Sequence, residues 1–126
     1  MGRIIKGKIC QSEERFVMRY NSVLDLHTHT VASGHAYCSL REMAKAASEK
    51  GLEVLGITEH APSMPGTCHK FYFNNLKVVP REMYGIQLLL GSEVNILDAQ
   101  GTVDLEEKTL SNMDVVIASL HTPCMK

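Results

Sequence analysis

Six residues able to bind a cation stand at or near the ends of apolar runs. "DLHTHT" carries His27 and His29, "GHAY" carries His35, and "ITEH" ends in His60. "GSEVNI" supplies Glu93, and "ASLH" ends in His121. Neutral imidazoles joined by a carboxylate form a ligand set suited to divalent zinc, manganese or iron. Residues i and i+2 of a strand share a face, so His27 and His29 can chelate one ion together. Asp25 falls on the same alternation and is a candidate acceptor for a ring N–H. Each residue alone has an ordinary reading: a polar-loop histidine, a hydrogen-bonded core histidine, a surface carboxylate. The case rests on their joint placement, and on the cost of burying a carboxylate unpaired after "LLLG". His69, Lys70 and Arg81 are weaker candidates, for phosphate or substrate binding.

The elements that must position these residues follow from the pattern around them. "VLDLHTHT" reads as a strand. Ser39 and Glu42 form an S-x-x-E capping box, and Leu40, Met43, Ala44 and Ala47 recur at helical spacing behind it. Gly51 stands where a glycine ends such a helix. "LEVLGITEH" is a second strand. The Pro/Gly-rich "APSMPGTCHKFYFNN" reads as a loop, followed by a short segment interrupted by Pro80. "IQLLLGSEVNIL" is a third strand, and "DAQG" a turn into "TVDL". Asp104 with Glu107 is expected to cap a helix over "LEEKTLSNM", and "DVVIASLH" is a fourth strand.

Strands alternating with helical segments imply parallel pairing through crossovers. The continuous apolar runs "LEVLGI", "IQLLL" and "DVVIA" fit strands covered on both faces. Parallel strands joined in this way deliver their C-terminal ends, and so these ligands, to one edge, where α/β proteins build their sites.

The bulk properties exclude other classes. A net charge of −1 gives no field for nucleic acid or an anionic membrane. No apolar run reaches the roughly 18 residues of a membrane span, and no signal-peptide block follows the basic N-terminus. A cytoplasmic protein is expected. The four cysteines make no CxxC pair, which argues against a zinc ribbon. Met18 directly precedes the first strong strand signal, so residues 1–17 read as an extension and 18–126 as one domain.

"DLHTHT", "ITEH", "GSEVNI" and "ASLH", in that order, resemble the first four motifs of the PHP (polymerase and histidinol phosphatase) superfamily. The likeness is nearest to its small stand-alone metal-dependent phosphoesterases and runs from about Leu24 to Pro123. Glu59 departs from the aspartate usual before the motif histidine. The resemblance implies an α/β fold: the N-terminal half of a distorted (β/α)7 TIM-like barrel, mostly parallel strands with helices outside. It implies up to three metal ions. His27, His29 and Glu93 correspond to ligands of the first, Glu93 and His121 to ligands of the second, and His35 and His60 to ligands of the third. Further ligands come from the C-terminal half in that family, so this chain reads as an N-terminal part.

The expected chemistry is hydrolysis of a small phosphorylated substrate, with metal-bound hydroxide as the nucleophile. A non-catalytic metal-binding module or a truncated, inactive PHP module is the alternative, and weak or no activity is expected of this chain alone. A nuclease role is disfavoured by the absence of a basic stripe. Half a barrel leaves open sheet edges, so a homodimer through those edges is also expected.

Overall fold

The computed structural model describes residues 21–125, and the extension read at residues 1–17 lies outside them. Five strands form one sheet: β1 Leu24–Thr28, β2 Val54–His60, β3 Glu82–Met83, β4 Ile86–Asn95 and β5 Val115–Ser119. Three helices connect them: α1 Leu40–Glu49, α2 Lys70–Asn75 and α3 Glu107–Leu110. β1, β2, β4 and β5 lie side by side and parallel, while β3 pairs antiparallel with the start of β4. The result is an α/β half-barrel: the alternating pattern implies the parallel pairing, and the resemblance to the PHP superfamily implies the half-barrel.

The two central strands are almost wholly buried, in keeping with their unbroken apolar runs. Leu55 and Ile57 of β2 pair in register with Leu88 and Leu90 of β4, and Ala44 and Ala47 of α1 belong to the same core. Burying each of those four large side chains contributes roughly 1.5–3 kcal/mol. The capping box forms as read: Ser39 accepts from the Glu42 backbone, and the Glu42 carboxylate accepts from the Ser39 backbone at 2.6 Å.

The opposite alternation runs Gly56, Thr58, His60 on β2 and Leu89, Gly91, Glu93 on β4. This face carries the site. Gly91 is required where it stands, because a Cβ there would lie 1.7 Å from the Val115 carbonyl oxygen. Its absence lets β5 approach β4 closely.

The structure differs from the sequence reading at three elements. The short helix expected with the loop between the second and third strands forms as α2, inside "APSMPGTCHKFYFNN" rather than after it, because Phe73 and Leu76 bury three residues apart and His69 caps the first turn. β3 arises because Tyr84 and Gly85, both with positive φ, make a two-residue turn between Met83 and Ile86. α3 is shorter than expected and has no side-chain cap. Asp104 turns inward instead, accepting from the Asn95 backbone, the Asn95 amide and the Ser63 backbone.

Candidate metal centre

His60 and Glu93 stand opposite one another at the C-terminal ends of β2 and β4, in direct register. His27 and His29 belong to β1 and the residue just past its end, and His121 follows β5. His35 reaches the same place from the loop after β1. All six residues converge. His27 Nε2 lies 3.3 Å from Glu93 Oε1, and His29 Nε2 lies 3.3 Å from Glu93 Oε2. His121 Nε2 is 3.5 Å from Glu93 Oε1, and His60 Nδ1 is 2.8 Å from Glu93 Oε2. His35 Nε2 and His60 Nε2 are 2.7 Å apart. Three triads can each gather around one point: His27, His29 and Glu93; His60, Glu93 and His121; His29, His35 and His60.

The donor chemistry fits a cation. His60 Nδ1 and Glu93 Oε2 are buried and close, yet neither has a hydrogen-bond partner. Leaving such groups unsatisfied costs about 1–3 kcal/mol or more each. Burial, reinforced by the neighbouring imidazoles and opposed by Glu93, pushes His60 down to about 4. Burial also lowers His29. Burial pushes the Glu93 carboxyl up, but hydrogen bonds from Ser119 and His27 and the nearby histidines outweigh it and hold it below its usual value. Near neutral pH His29 and His60 are therefore neutral beside an ionised Glu93, the protonation states that ligation requires.

A β-bulge shapes the first strand. Asp25 pairs with Leu55 but Thr28 pairs with Ile57, so one extra residue is inserted between them. The insertion reverses the alternation. Asp25 was expected on the face of His27 and His29; the bulge puts it on the other alternation, where it accepts the His27 backbone N–H at 3.1 Å. It holds the main chain beneath a histidine rather than an imidazole.

The weaker candidates have other partners. Arg81 binds Asp114 at 2.7 Å and donates to the Leu76 and Val79 carbonyls. It lines a cavity of about 750 Å³ with Glu53, Ile86 and Gln87, at the N-terminal edge of the sheet and away from the cluster. Lys70 faces Glu106 across 3.9 Å of exposed surface. His69 accepts the Phe71 N–H as the cap of α2.

Of two groups that support the imidazoles, Asn95 escaped the sequence reading, while Glu59 was noted only as a departure that shifts a contact behind the ligand His60. Asn95, fully buried, accepts from His121 Nδ1 at 2.7 Å while its amide donates to Ala61 and Asp104. Glu59 is also fully buried and gathers the Thr30 backbone N–H, the Thr30 hydroxyl and the Ser33 hydroxyl. The Tyr72 hydroxyl borders the same carboxylate, and burial raises its pKa. The sequence signal for Asn95 was adjacency alone, two residues after Glu93.

A family profile described as the PHP domain matches residues 25–126. The chain is 58% identical over 108 residues to a probable phosphatase of Clostridium novyi, covering 86% of this chain and 43% of that protein. It is 50% identical over 109 residues to a probable phosphatase of Caldanaerobacter subterraneus subsp. tengcongensis, again covering 86% and 43%. A probable phosphatase of Acetivibrio thermocellus is 47% identical over 104 residues, 82% of this chain and 43% of that protein. The chain thus spans less than half the length of these curated relatives. Among the described residues, no helix is long and apolar enough to cross a membrane.

Proposed function

The chain belongs to the PHP domain family, and on that premise we propose that its histidine–glutamate cluster holds divalent cations and serves the hydrolysis of small phosphate esters. The observation that carries this reading is the buried pair His60 Nδ1 and Glu93 Oε2, 2.8 Å apart with no hydrogen bond to either. The printed description of the relatives, probable phosphatase, supports the choice of ester. His27, His29 and Glu93 would hold one ion, His60, Glu93 and His121 a second, and His29, His35 and His60 a third. Zinc suits this set, with manganese or iron as the competing choices. Such ions, when bound, supply Lewis acidity: they acidify water near neutral pH and offset the charge that builds on phosphoryl oxygens.

The chain's own residues do the rest. Burial keeps His29 and His60 in the neutral form that can ligate. Among the described residues Glu93 is the one carboxylate in the triads, and it reaches two of them, so it supplies the anionic charge. Ser33, hydrogen-bonded to His29, has its one hydrogen directed at Glu59 and is not poised as a nucleophile.

Elemental analysis of protein purified without added metal is expected to find zinc, manganese or iron. Hydrolysis of p-nitrophenyl phosphate is expected to stop with chelator and with His29→Ala. Turnover indifferent to both would overturn the phosphoesterase reading. Bound metal without turnover, in this chain and in a full-length relative, would favour the non-catalytic alternative.

A second element of the reading concerns association. Among the described residues, β1 pairs only with β2 and β5 only with β4, so each has one free edge. Leu24 and Val116 on those strands are exposed. Free strand edges are templates for pairing, and a two-fold dimer is the commonest closed arrangement. Sedimentation over a range of concentrations is expected to reveal self-association; a stable monomer throughout would defeat it.

A further inference from the structure

Ser33 is 1% exposed, and its hydroxyl oxygen has three neighbours. Glu59 Oε2 lies 2.5 Å away, the His60 backbone N–H points at it from 3.0 Å, and His29 Nδ1 lies 3.0 Å away. A hydroxyl has one hydrogen to donate and two lone pairs to accept with. A carboxylate only accepts, so the hydrogen goes to Glu59. The two lone pairs then take the His60 N–H and a hydrogen carried by His29 Nδ1. A neutral imidazole carries only one, so His29 Nε2 is left with its lone pair, 3.3 Å from Glu93.

We propose that Glu59 is a positioning residue that sets the His29 tautomer through Ser33, so that the Nε2 lone pair faces the cluster. Glu59 does this without touching an ion itself. The same carboxylate takes both the Thr30 backbone N–H and the Thr30 hydroxyl, so it also fixes the chain between His29 and Ser33. Three donors on one buried carboxylate leave it little freedom to rotate. The Ser33 oxygen at the same time accepts from the His60 backbone, so one hydroxyl registers two histidines of the site.

The polarity of this relay can be reversed without changing its shape. In Glu59→Gln the side-chain amide has both a donor and an acceptor end. With the NH2 toward Ser33, the hydroxyl accepts there and its hydrogen turns to His29 Nδ1. His29 then carries its proton on Nε2, where ligation needs a lone pair. Ser33→Ala removes the relay while leaving the Thr30 contacts of Glu59 in place.

The significance to metal binding rests on the proposed function, but the tautomer does not, so the two are tested separately. Side-chain nitrogen NMR of the metal-free chain at pH 8 is expected to find His29 as the Nδ1–H tautomer. In Glu59→Gln and in Ser33→Ala it is expected to move toward Nε2–H. Cobalt titrations followed by visible absorption are expected to weaken by about 10–100-fold in both variants, with Glu59→Asp retaining most of the affinity if its shorter carboxylate still reaches Ser33. An Nε2–H tautomer in the unsubstituted chain overturns the relay, whether or not the variants fold. So do folded variants with unchanged tautomer and cobalt affinity. Failure of the unsubstituted chain to bind cobalt would instead overturn the metal reading.

Discussion

His35 Nε2 and His60 Nε2 face each other across 2.7 Å. Two neutral rings can share one hydrogen there, or both can offer lone pairs to a cation. Two imidazolium rings cannot, since each would direct an N–H at the other. This contact joins a loop histidine to a strand-end histidine, and it makes acid the natural enemy of the site.

The sign of that effect follows from His60, whose pKa falls from 6.5 to about 4 on folding, chiefly through burial. Above about 6.5 neither the folded nor the unfolded chain protonates it, so it costs nothing. Between about 6.5 and 4 only the unfolded chain binds the proton, and folding stability falls as the pH drops. Urea denaturation of the metal-free chain at pH 7.5, 6 and 4.5 is expected to give a steadily lower midpoint, and His60→Gln is expected to flatten that decline. An equally steep decline in the variant would assign the acid sensitivity to other groups.

Chelation should expose how much of the stability is borrowed from metal. A ligand at 100 times its Kd adds about 2.7 kcal/mol to the folded state. For a chain of this size that is roughly 8–16 °C in Tm. Thermal melts with zinc and with EDTA are expected to differ by that order, and coincident melts would count against the cluster as a metal site.

Gly91 holds β5 close to β4, and β5 delivers His121 to Glu93. Gly91→Ala puts a methyl 1.7 Å from the Val115 carbonyl, so backbone must move. A loss of about 1–3 kcal/mol is expected from the overpacking. Metal stoichiometry is also expected to drop, because His121 is carried away with the strand. Unchanged urea midpoint and stoichiometry would show that the two strands separate without cost.

Arg81 separates a structural role from a substrate role. Its guanidinium ties Asp114, before β5, to the Leu76 and Val79 carbonyls. Arg81→Ala is expected to lower stability by about 1–2 kcal/mol and to leave metal affinity and the KM for p-nitrophenyl phosphate within about twofold. A large rise in KM at unchanged stability would return Arg81 to the substrate.

Strand order and the convergence of His27, His29, His60, Glu93 and His121 were legible because period, apolar runs and crossover logic act over short spans. The Ser39–Glu42 cap was legible for the same reason. What escaped depends on pairing between distant segments. The bulge between Asp25 and Thr28 is a property of two strands, and nothing in "DLHTHT" announces it; the simple alternation therefore misplaced Asp25. Asp104 looked like a helix cap in its local setting, but the buried Asn95 competes for it across a turn. Glu59 looked like a small variation beside His60, and its role appears only once the Thr30–Ser33 loop folds over it.

Six side chains fill the nine places of three triads, because His29, His60 and Glu93 each serve twice. Among the described residues the cluster therefore has no spare parts. Losing His27, His35 or His121 breaks one triad and leaves two whole, whereas losing His29, His60 or Glu93 breaks two at a stroke. Tolerance to substitution is graded by membership rather than by exposure or by distance from the centre, and the shared residues are the points at which a single change dismantles the arrangement.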